Sequence, residues 1–94
     1  MSNLSSMELA VAMAERARDG ARLALAQAQT LLQMAQEQLQ QLTSYADETQ
    51  ARWMNQTSGQ PTPEVMRHYY QFMDKLQNAT GLQQRAVHEA GERV

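Results

Sequence analysis

The side chains best suited to acid–base or metal chemistry are two histidines, and the sequence keeps them apart. His68 and His88 lie far from one another in the last third of the chain. Neither has a Cys or carboxylate at a helical spacing that builds a ligand set, and His68 lies between Arg67 and Tyr69. We interpret both as solvated or rim histidines. We therefore expect neither a metal nor any other cofactor.

The carboxylates and hydroxyls also lack the neighbours that catalysis needs. Glu15 and Asp19 are four positions apart and Asp47 precedes Glu48 directly, which is typical of a solvated helix face. General acid–base catalysis needs a cleft that shifts a pKa. The chain has no Cys, and its glycines are isolated and do not form a phosphate loop. No activating arrangement accompanies Ser5, Ser6, Ser44 or Ser58. We predict that the protein is not an enzyme.

The composition indicates one small domain built on helices. The 94 residues are rich in Ala, Gln, Leu and Met and contain few aromatics, so a narrow helical seam fits better than a large core. The net charge is −2 and no basic face is concentrated, which argues against nucleic-acid binding. Neither a signal peptide nor a run of about 20 apolar residues is present. We expect a soluble cytoplasmic protein.

One cluster of helix-breaking residues, 55–63, organises the chain. Gly59 can take the left-handed conformation that ends a helix. Thr62 followed by Pro63 is typical of an N-cap with proline at the first helical position. Because the connection is short, the helices on either side should be antiparallel neighbours. The predicted elements are helix 1 at about 4–57, a tip loop at about 58–62 and helix 2 at about 63–94.

Apolar residues step by three and four along both predicted helices, which is the signature of a coiled coil. In helix 1 the a and d positions are Leu4, Met7, Val11, Ala14, Arg18, Ala21, Leu25, Ala28, Leu32, Ala35, Leu39, Leu42, Ala46, Thr49 and Trp53. In helix 2 they are Met66, Tyr69, Met73, Leu76, Thr80, Gln83, Val87, Ala90 and Val94. Helix 1 would start at one of Ser2, Asn3, Ser5 or Ser6, and Ser5 with Glu8 matches a capping box. The predicted fold is all-α, an extended antiparallel coiled-coil hairpin of two long helices.

The start of helix 1 has no counterpart in helix 2. Folding helix 2 back leaves roughly the first twenty residues of helix 1 uncovered. Since the helix 2 pattern runs to the last residue, either the chain is a C-terminally truncated piece or another molecule covers this end. Arg16, Arg18 and Arg22 lie in that part. They are either ordinary exposed helix charges or a docking spot for an acidic surface.

One flank of the predicted seam is polar and the other is apolar. The e positions are mostly Glu, Gln and Arg, whereas the g positions include Tyr45 and Phe72. The hairpin should bring Tyr45 near Phe72 and Gln38 near Ala79. Such a one-sided apolar flank indicates either a contact surface or a core widened against further helices of an oligomer.

Several segments in this order resemble the FliJ family of flagellar export proteins. They are Met7-Glu8-Leu9-Ala10, Ala14-Glu15-Arg16-Ala17-Arg18-Asp19, Ala21-Arg22-Leu23, Ala35-Gln36-Glu37-Gln38-Leu39 with Leu42 and Tyr45, and Tyr69-Tyr70-Gln71-Phe72 with Leu76. The likeness covers nearly the whole chain. It implies an antiparallel two-helix coiled coil, similar to the central stalk of rotary ATPases.

The resemblance also implies partners in the type III flagellar export apparatus at the inner membrane. These are the hexameric export ATPase, the cytoplasmic domain of the export-gate membrane protein, and substrate-specific export chaperones. The gate-binding surface, here called the contact strip, maps onto Gln38, Leu42, Tyr45, Phe72, Leu76 and Ala79. At the next position of the helix 1 cluster and of the helix 2 cluster, Thr49 and Gln83 depart from the family pattern. The end carrying Arg16, Arg18 and Arg22 is the expected ATPase-docking end.

The resemblance gives the preferred hypothesis, a non-enzymatic coupling and escort component of flagellar export. The alternative is a structural coiled-coil scaffold that associates with its own copies and buries the apolar flank in a bundle. A truncated chain would favour self-association, because the start of helix 1 would be uncovered.

Overall fold

A computed structural model describes residues 2–56 and 59–94 of the chain. Helix α1 spans Ser2–Gln56 and helix α2 spans Pro63–Glu92, and α2 packs back along α1. The molecule measures 89 × 18 × 13 Å. The predicted all-α, antiparallel coiled-coil hairpin is therefore confirmed.

The N-terminus of α2 has the cap that its sequence predicts. Thr62 is extended, with φ −67° and ψ 153°, and its hydroxyl accepts a hydrogen bond from the Val65 amide at 3.3 Å. The Thr62 carbonyl accepts from the Met66 amide at 3.0 Å. Pro63 occupies the first turn, where its missing N–H costs nothing. Glu64 adds a negative charge where the helix dipole favours one.

The expected conformation of Gly59 is wrong. No glycine in the described part of the chain has a positive φ, so Gly59 does not adopt the left-handed conformation. The helix stop expected near Thr57 lies outside the described residues, as does Ser58. On the α2 side, the extended Thr62 and the fixed φ of Pro63 set the direction in which the chain enters the helix.

Helix α1 starts at Ser2, one of the four predicted start positions, and Ser5 with Glu8 does not form a capping box at its N-terminus. Helix α1 already includes Ser2, so the Ser5–Glu8 pair lies inside the helix. Serine costs only a few tenths of a kcal/mol in a helix interior, and both serines are exposed. A helix can therefore continue through them.

At the other end of the chain, Glu92 ends α2, and the amides of Arg93 and Val94 donate to carbonyls of the last turn.

The seam between the helices follows the heptad positions of the sequence. On α1, from residue 28 onward, the half-buried side chains are Ala28, Leu32, Ala35, Leu39, Leu42, Ala46, Thr49 and Trp53. On α2 they include Tyr69, Met73, Thr80, Gln83, Val87 and Ala90, with Leu76 buried between them. Leu76, 8% exposed, is the one buried hydrophobic residue within 2–56 and 59–94. The molecule thus has a line of contacts in place of a three-dimensional core.

Contacts at both ends fix the extent of the seam. Near the tip, the rings of Trp53 and Tyr69 stack with centroids 4.2 Å apart and planes 5° apart. At the far end, Gly91 lies against Leu32. A Cβ added to Gly91 would be 3.9 Å from Leu32 Cδ1, which is ordinary van der Waals contact. Further toward the N-terminus, seam residues such as Leu4 and Val11 are exposed. Within the residues that the structure describes, no helix packs against the apolar face of residues 3–27 of α1.

Neither α1 nor α2 is both long and apolar enough, over the described residues, to cross a membrane.

We predict that Leu76→Ala lowers the free energy of unfolding by about 2–3 kcal/mol, because it removes the best-buried side chain of the seam. Leu82→Ala is the matched control on the same helix, since Leu82 is 65% exposed; its cost should stay within about 0.5 kcal/mol. Urea unfolding followed by circular dichroism measures both. An equal loss of unfolding free energy in the two variants would contradict the conclusion that Leu76 is the best-buried side chain of the seam.

Candidate functional site

The contact strip is built around an aromatic pair that joins the two helices. The rings of Tyr45 on α1 and Phe72 on α2 meet edge to face, with centroids 5.9 Å apart and planes 74° apart. This contact was expected from the heptad positions. Tyr45 is 47% exposed and Phe72 is 38% exposed. The pair therefore holds the helices together while keeping much of its apolar area open to a partner.

The other members of the strip differ in accessibility. Gln38 is exposed, Leu42 and Ala79 are half-buried, and Leu76 is buried. A buried side chain offers almost no area to a partner, so Leu76 can act only by holding α2 against α1. The accessible part of the strip is formed by Tyr45, Phe72 and Gln38, with the edges of the two half-buried residues.

A hydrogen-bonded glutamine lies at one end of the strip. The side-chain amide of Gln83 donates to the Ala35 carbonyl at 2.9 Å and to Gln38 Oε1 at 3.1 Å. Both of its N–H groups are thus used on α1. This contact spans the seam, so it fixes the axial register of the helices and orients Gln38. The sequence analysis noted Gln83 only as a departure from the family pattern; its polar side chain at a d position was the available signal.

The groove between the helices beside Tyr45 has no charged side chain in its lining, whereas a second depression beside Tyr45 is lined in part by Glu37 and Glu48. A shallow groove runs between the helices and is lined by Gln38, Gln41, Leu42, Tyr45 and Gln83. None of these residues, and none of the six in the strip, is ionisable apart from the tyrosine. Exposed aromatics with amide and aliphatic neighbours are typical of the centre of a protein–protein contact.

The three arginines of the expected ATPase-docking end lie on the part of α1 that α2 does not reach. Arg16, Arg18 and Arg22 are all exposed. Arg18 Nη2 is 3.2 Å from Asp19 Oδ1, and both side chains are more than half exposed. A pair so exposed contributes little to stability. Arg22 is about 24 Å along the helix from Gln38, so the structure does not bring the arginines to the strip.

The histidines show one contact that the sequence analysis missed. His88 Nε2 is 2.9 Å from Glu92 Oε1, an i,i+4 pair on the surface of α2. The spacing of four would have predicted it. His68 is exposed. In the part of the chain that the structure describes, no three His, Asp or Glu side chains are grouped closely enough to hold a metal ion.

The fold is a coiled-coil hairpin with a half-exposed aromatic pair on its side. The family model described as Flagellar FliJ protein matches residues 4–94. The chain therefore belongs to the FliJ family of non-catalytic flagellar export components, and its role lies in flagellar protein export. Searches of the curated proteins and of the solved structures found no match.

We predict that Gln83→Ala destabilises the hairpin by about 1 kcal/mol, because two hydrogen bonds across the seam are lost. Gln84→Ala, the same change at the next and exposed position, should have little effect. Urea unfolding compares the two variants. A Gln83→Ala variant as stable as the unchanged chain would show that these hydrogen bonds do not fix the register.

Proposed function

We propose that this FliJ-family chain is a non-enzymatic coupling and escort component of the flagellar type III export apparatus. One end of the rod docks on the hexameric export ATPase, and the contact strip binds the cytoplasmic domain of the export-gate membrane protein. The same protein handles substrate-specific export chaperones. Binding to the gate holds it at the cytoplasmic side of the inner membrane.

The observation that carries this proposal is the half-exposed Tyr45–Phe72 pair beside an uncharged groove between the helices. A hairpin that needed these rings only for its own stability could bury them in the seam, as it does with Leu76. Aromatic anchors that remain accessible and rigid are the residues that dominate protein–protein contacts. The strip is thus suited to a partner with a complementary apolar pocket.

The shape of the molecule supports a coupling role. A coupling component needs separate surfaces for its two partners and a stiff connection between them. The molecule is 89 Å long, the strip lies in its two-helix half, and the arginines lie on the single-helix half. Because both surfaces share the continuous helix α1, a displacement at one end is transmitted to the other.

The arginines support docking on an acidic partner. Among the described residues, Arg18 is the one of the three with a carboxylate within ion-pair distance, and that pair is exposed to solvent. Exposed guanidinium groups can form bidentate bonds with the carboxylates of a partner. Such docking would be sensitive to salt, since exposed charges are screened.

The second candidate function is a self-associating scaffold, and the uncovered apolar face of residues 3–27 favours it. In that arrangement the strip would be buried among copies of the chain. The two candidates differ in one measurable respect: removal of the strip aromatics would disrupt a scaffold but leave the oligomeric state of a coupling component unchanged.

We predict that Tyr45→Ala combined with Phe72→Ala weakens binding to the soluble gate domain by at least about tenfold, because both anchors are lost. Isothermal titration calorimetry measures the affinity. Tyr70→Ala is the matched control, since Tyr70 is an exposed aromatic at an e position of α2, the helix that carries Phe72. Circular dichroism checks that each variant remains helical. Binding unchanged in the double variant, or equally weakened by Tyr70→Ala, would refute the assignment of the strip.

We predict that the triple variant Arg16→Ala, Arg18→Ala and Arg22→Ala binds the export ATPase about tenfold more weakly and with less dependence on salt. The matched control removes the cations of the two-helix half, Arg52, Arg67 and Lys75. Co-sedimentation with the ATPase at two salt concentrations measures both. If the control weakens binding as much as the triple variant, net charge is responsible, and this end is not the docking site.

A further inference from the structure

The two rings of the contact strip do not by themselves fix the direction in which a partner binds. Tyr45 on α1 and Phe72 on α2 meet edge to face across an antiparallel pair of helices. Two antiparallel helices are related by an approximate two-fold axis, so a half-turn about it puts each ring where the other stood. An apolar pocket for two rings therefore accepts the pair almost equally well in either direction. The residues that border the rings have to supply the direction.

Each ring has a charged neighbour, and the two charges are opposite. Glu48 follows Tyr45 by three positions, and Lys75 follows Phe72 by three. Residues three apart are neighbours on a helix surface, and both charged side chains are exposed. Because the helices are antiparallel, Glu48 lies about 4.5 Å from the pair toward the tip and Lys75 about 4.5 Å in the opposite direction. The two charges therefore lie diagonally across the aromatic pair.

The carboxylate of Glu48 lies in a depression that Tyr45 also lines. The depression is formed by Glu37, Gln40, Gln41, Ser44, Tyr45 and Glu48. The Glu37 carboxylate already accepts a hydrogen bond from the Gln33 amide at 3.3 Å. Over residues 2–56 and 59–94, Glu48 has no cation within ion-pair distance. A cationic side chain of a partner placed here would meet both a carboxylate and an aromatic ring.

The ammonium of Lys75 is available in the same way on α2. Lys75 is three positions from Phe72 and four from Ala79, so it borders two members of the contact strip. The adjacent Asp74 is at a b position, which borders the polar e flank. No carboxylate of the described chain lies within ion-pair distance of Lys75. A carboxylate of a partner could therefore pair with it without displacing another contact.

The other two residues that border the pair keep this division of charge. Glu48 and Lys75 are at c positions, which lie next to the g flank, and the remaining c residues beside the rings are Gln41 and His68. The α1 border of the pair thus has a carboxylate and no cation, whereas the α2 border has a lysine and no carboxylate. Arg52 is on the g flank itself, but it lies a full heptad, about 10.5 Å, beyond Tyr45 toward the tip.

We propose that Glu48 and Lys75 fix the direction in which a partner binds the contact strip. This inference rests on the proposed function, in which the gate domain binds that strip. The matching surface is an apolar pocket for two rings, with a cation on the side that faces Glu48 and a carboxylate on the side that faces Lys75. A partner bound in the reversed direction would bring like charges together, and such contacts lower affinity for the wrong arrangement.

A charge exchange that keeps the net charge tests this proposal. The double variant Glu48→Lys with Lys75→Glu reverses the charges beside the rings but leaves the net charge at −2. Each single substitution should weaken binding to the soluble gate domain about tenfold, and the double variant about a hundredfold, because effects at separated sites add. Isothermal titration calorimetry measures the affinities. Raising the salt concentration should weaken binding of the unchanged chain and strengthen that of the double variant, since screening reduces attraction and repulsion alike.

The matched control is the double variant Asp47→Lys with Arg67→Glu. It makes the same exchange at two exposed b positions, next to the e flank, and also keeps the net charge. Its affinity should equal that of the unchanged chain. Circular dichroism checks that every variant remains helical, as substitutions of exposed residues should allow.

The outcomes separate this proposal from the proposed function. If the Glu48–Lys75 exchange binds as tightly as the unchanged chain, or the control loses as much affinity, the proposal is overturned. Loss of binding in Tyr45→Ala with Phe72→Ala would then still support the strip as the gate-binding surface. No binding by the unchanged chain would overturn both. A self-associated state that the exchange dissociates in sedimentation equilibrium would also overturn the proposal, since the charges would then orient copies of the chain.

Discussion

The narrowness of the contact between α1 and α2 constrains everything else in this molecule. A pair of helices has one shared line, so few side chains can be removed from water, and Leu76 is the buried hydrophobic residue of the described chain. Hydrophobic burial grows with the apolar area covered, and a single line covers little. The ends of the seam are accordingly secured by specific contacts, the Trp53–Tyr69 stack at the tip and the packing of Gly91 on Leu32.

Because the contact is narrow, both the stability of the hairpin and the shape of the contact strip depend on the axial register of the two helices. A seam of Ala and Leu alone would tolerate sliding by a heptad, because the layers are similar. Gln83 opposes sliding, since its amide reaches a backbone carbonyl and Gln38 of α1. With the register fixed, Tyr45 and Phe72 meet across the flank and form one surface from two helices. A slip of one heptad would separate these rings by about 10 Å.

The unequal lengths of the helices create a second kind of surface. Where α2 is present, apolar seam residues are covered and the flanks are available to partners. Where it is absent, the seam residues themselves are exposed beside the arginines. The three arginines and the exposed seam residues share this single-helix half, whereas the contact strip lies in the two-helix half. The two halves of one rod thus present different surfaces.

The sequence by itself determined the two helices, their antiparallel packing, the Thr62–Pro63 cap and the a and d positions, because periodicity and capping are local properties of the chain. It also predicted the meeting of Tyr45 and Phe72. The conformation of Gly59 and the start of α1 depend on a balance of small local energies that the sequence pattern does not resolve. Only the tertiary structure decided that Leu76 is buried while Phe72 stays open, and that Gln83 bonds across to Ala35. The reason is geometric: exposure and hydrogen bonding between helices depend on how the helices are placed against each other, which the spacing along either one does not contain.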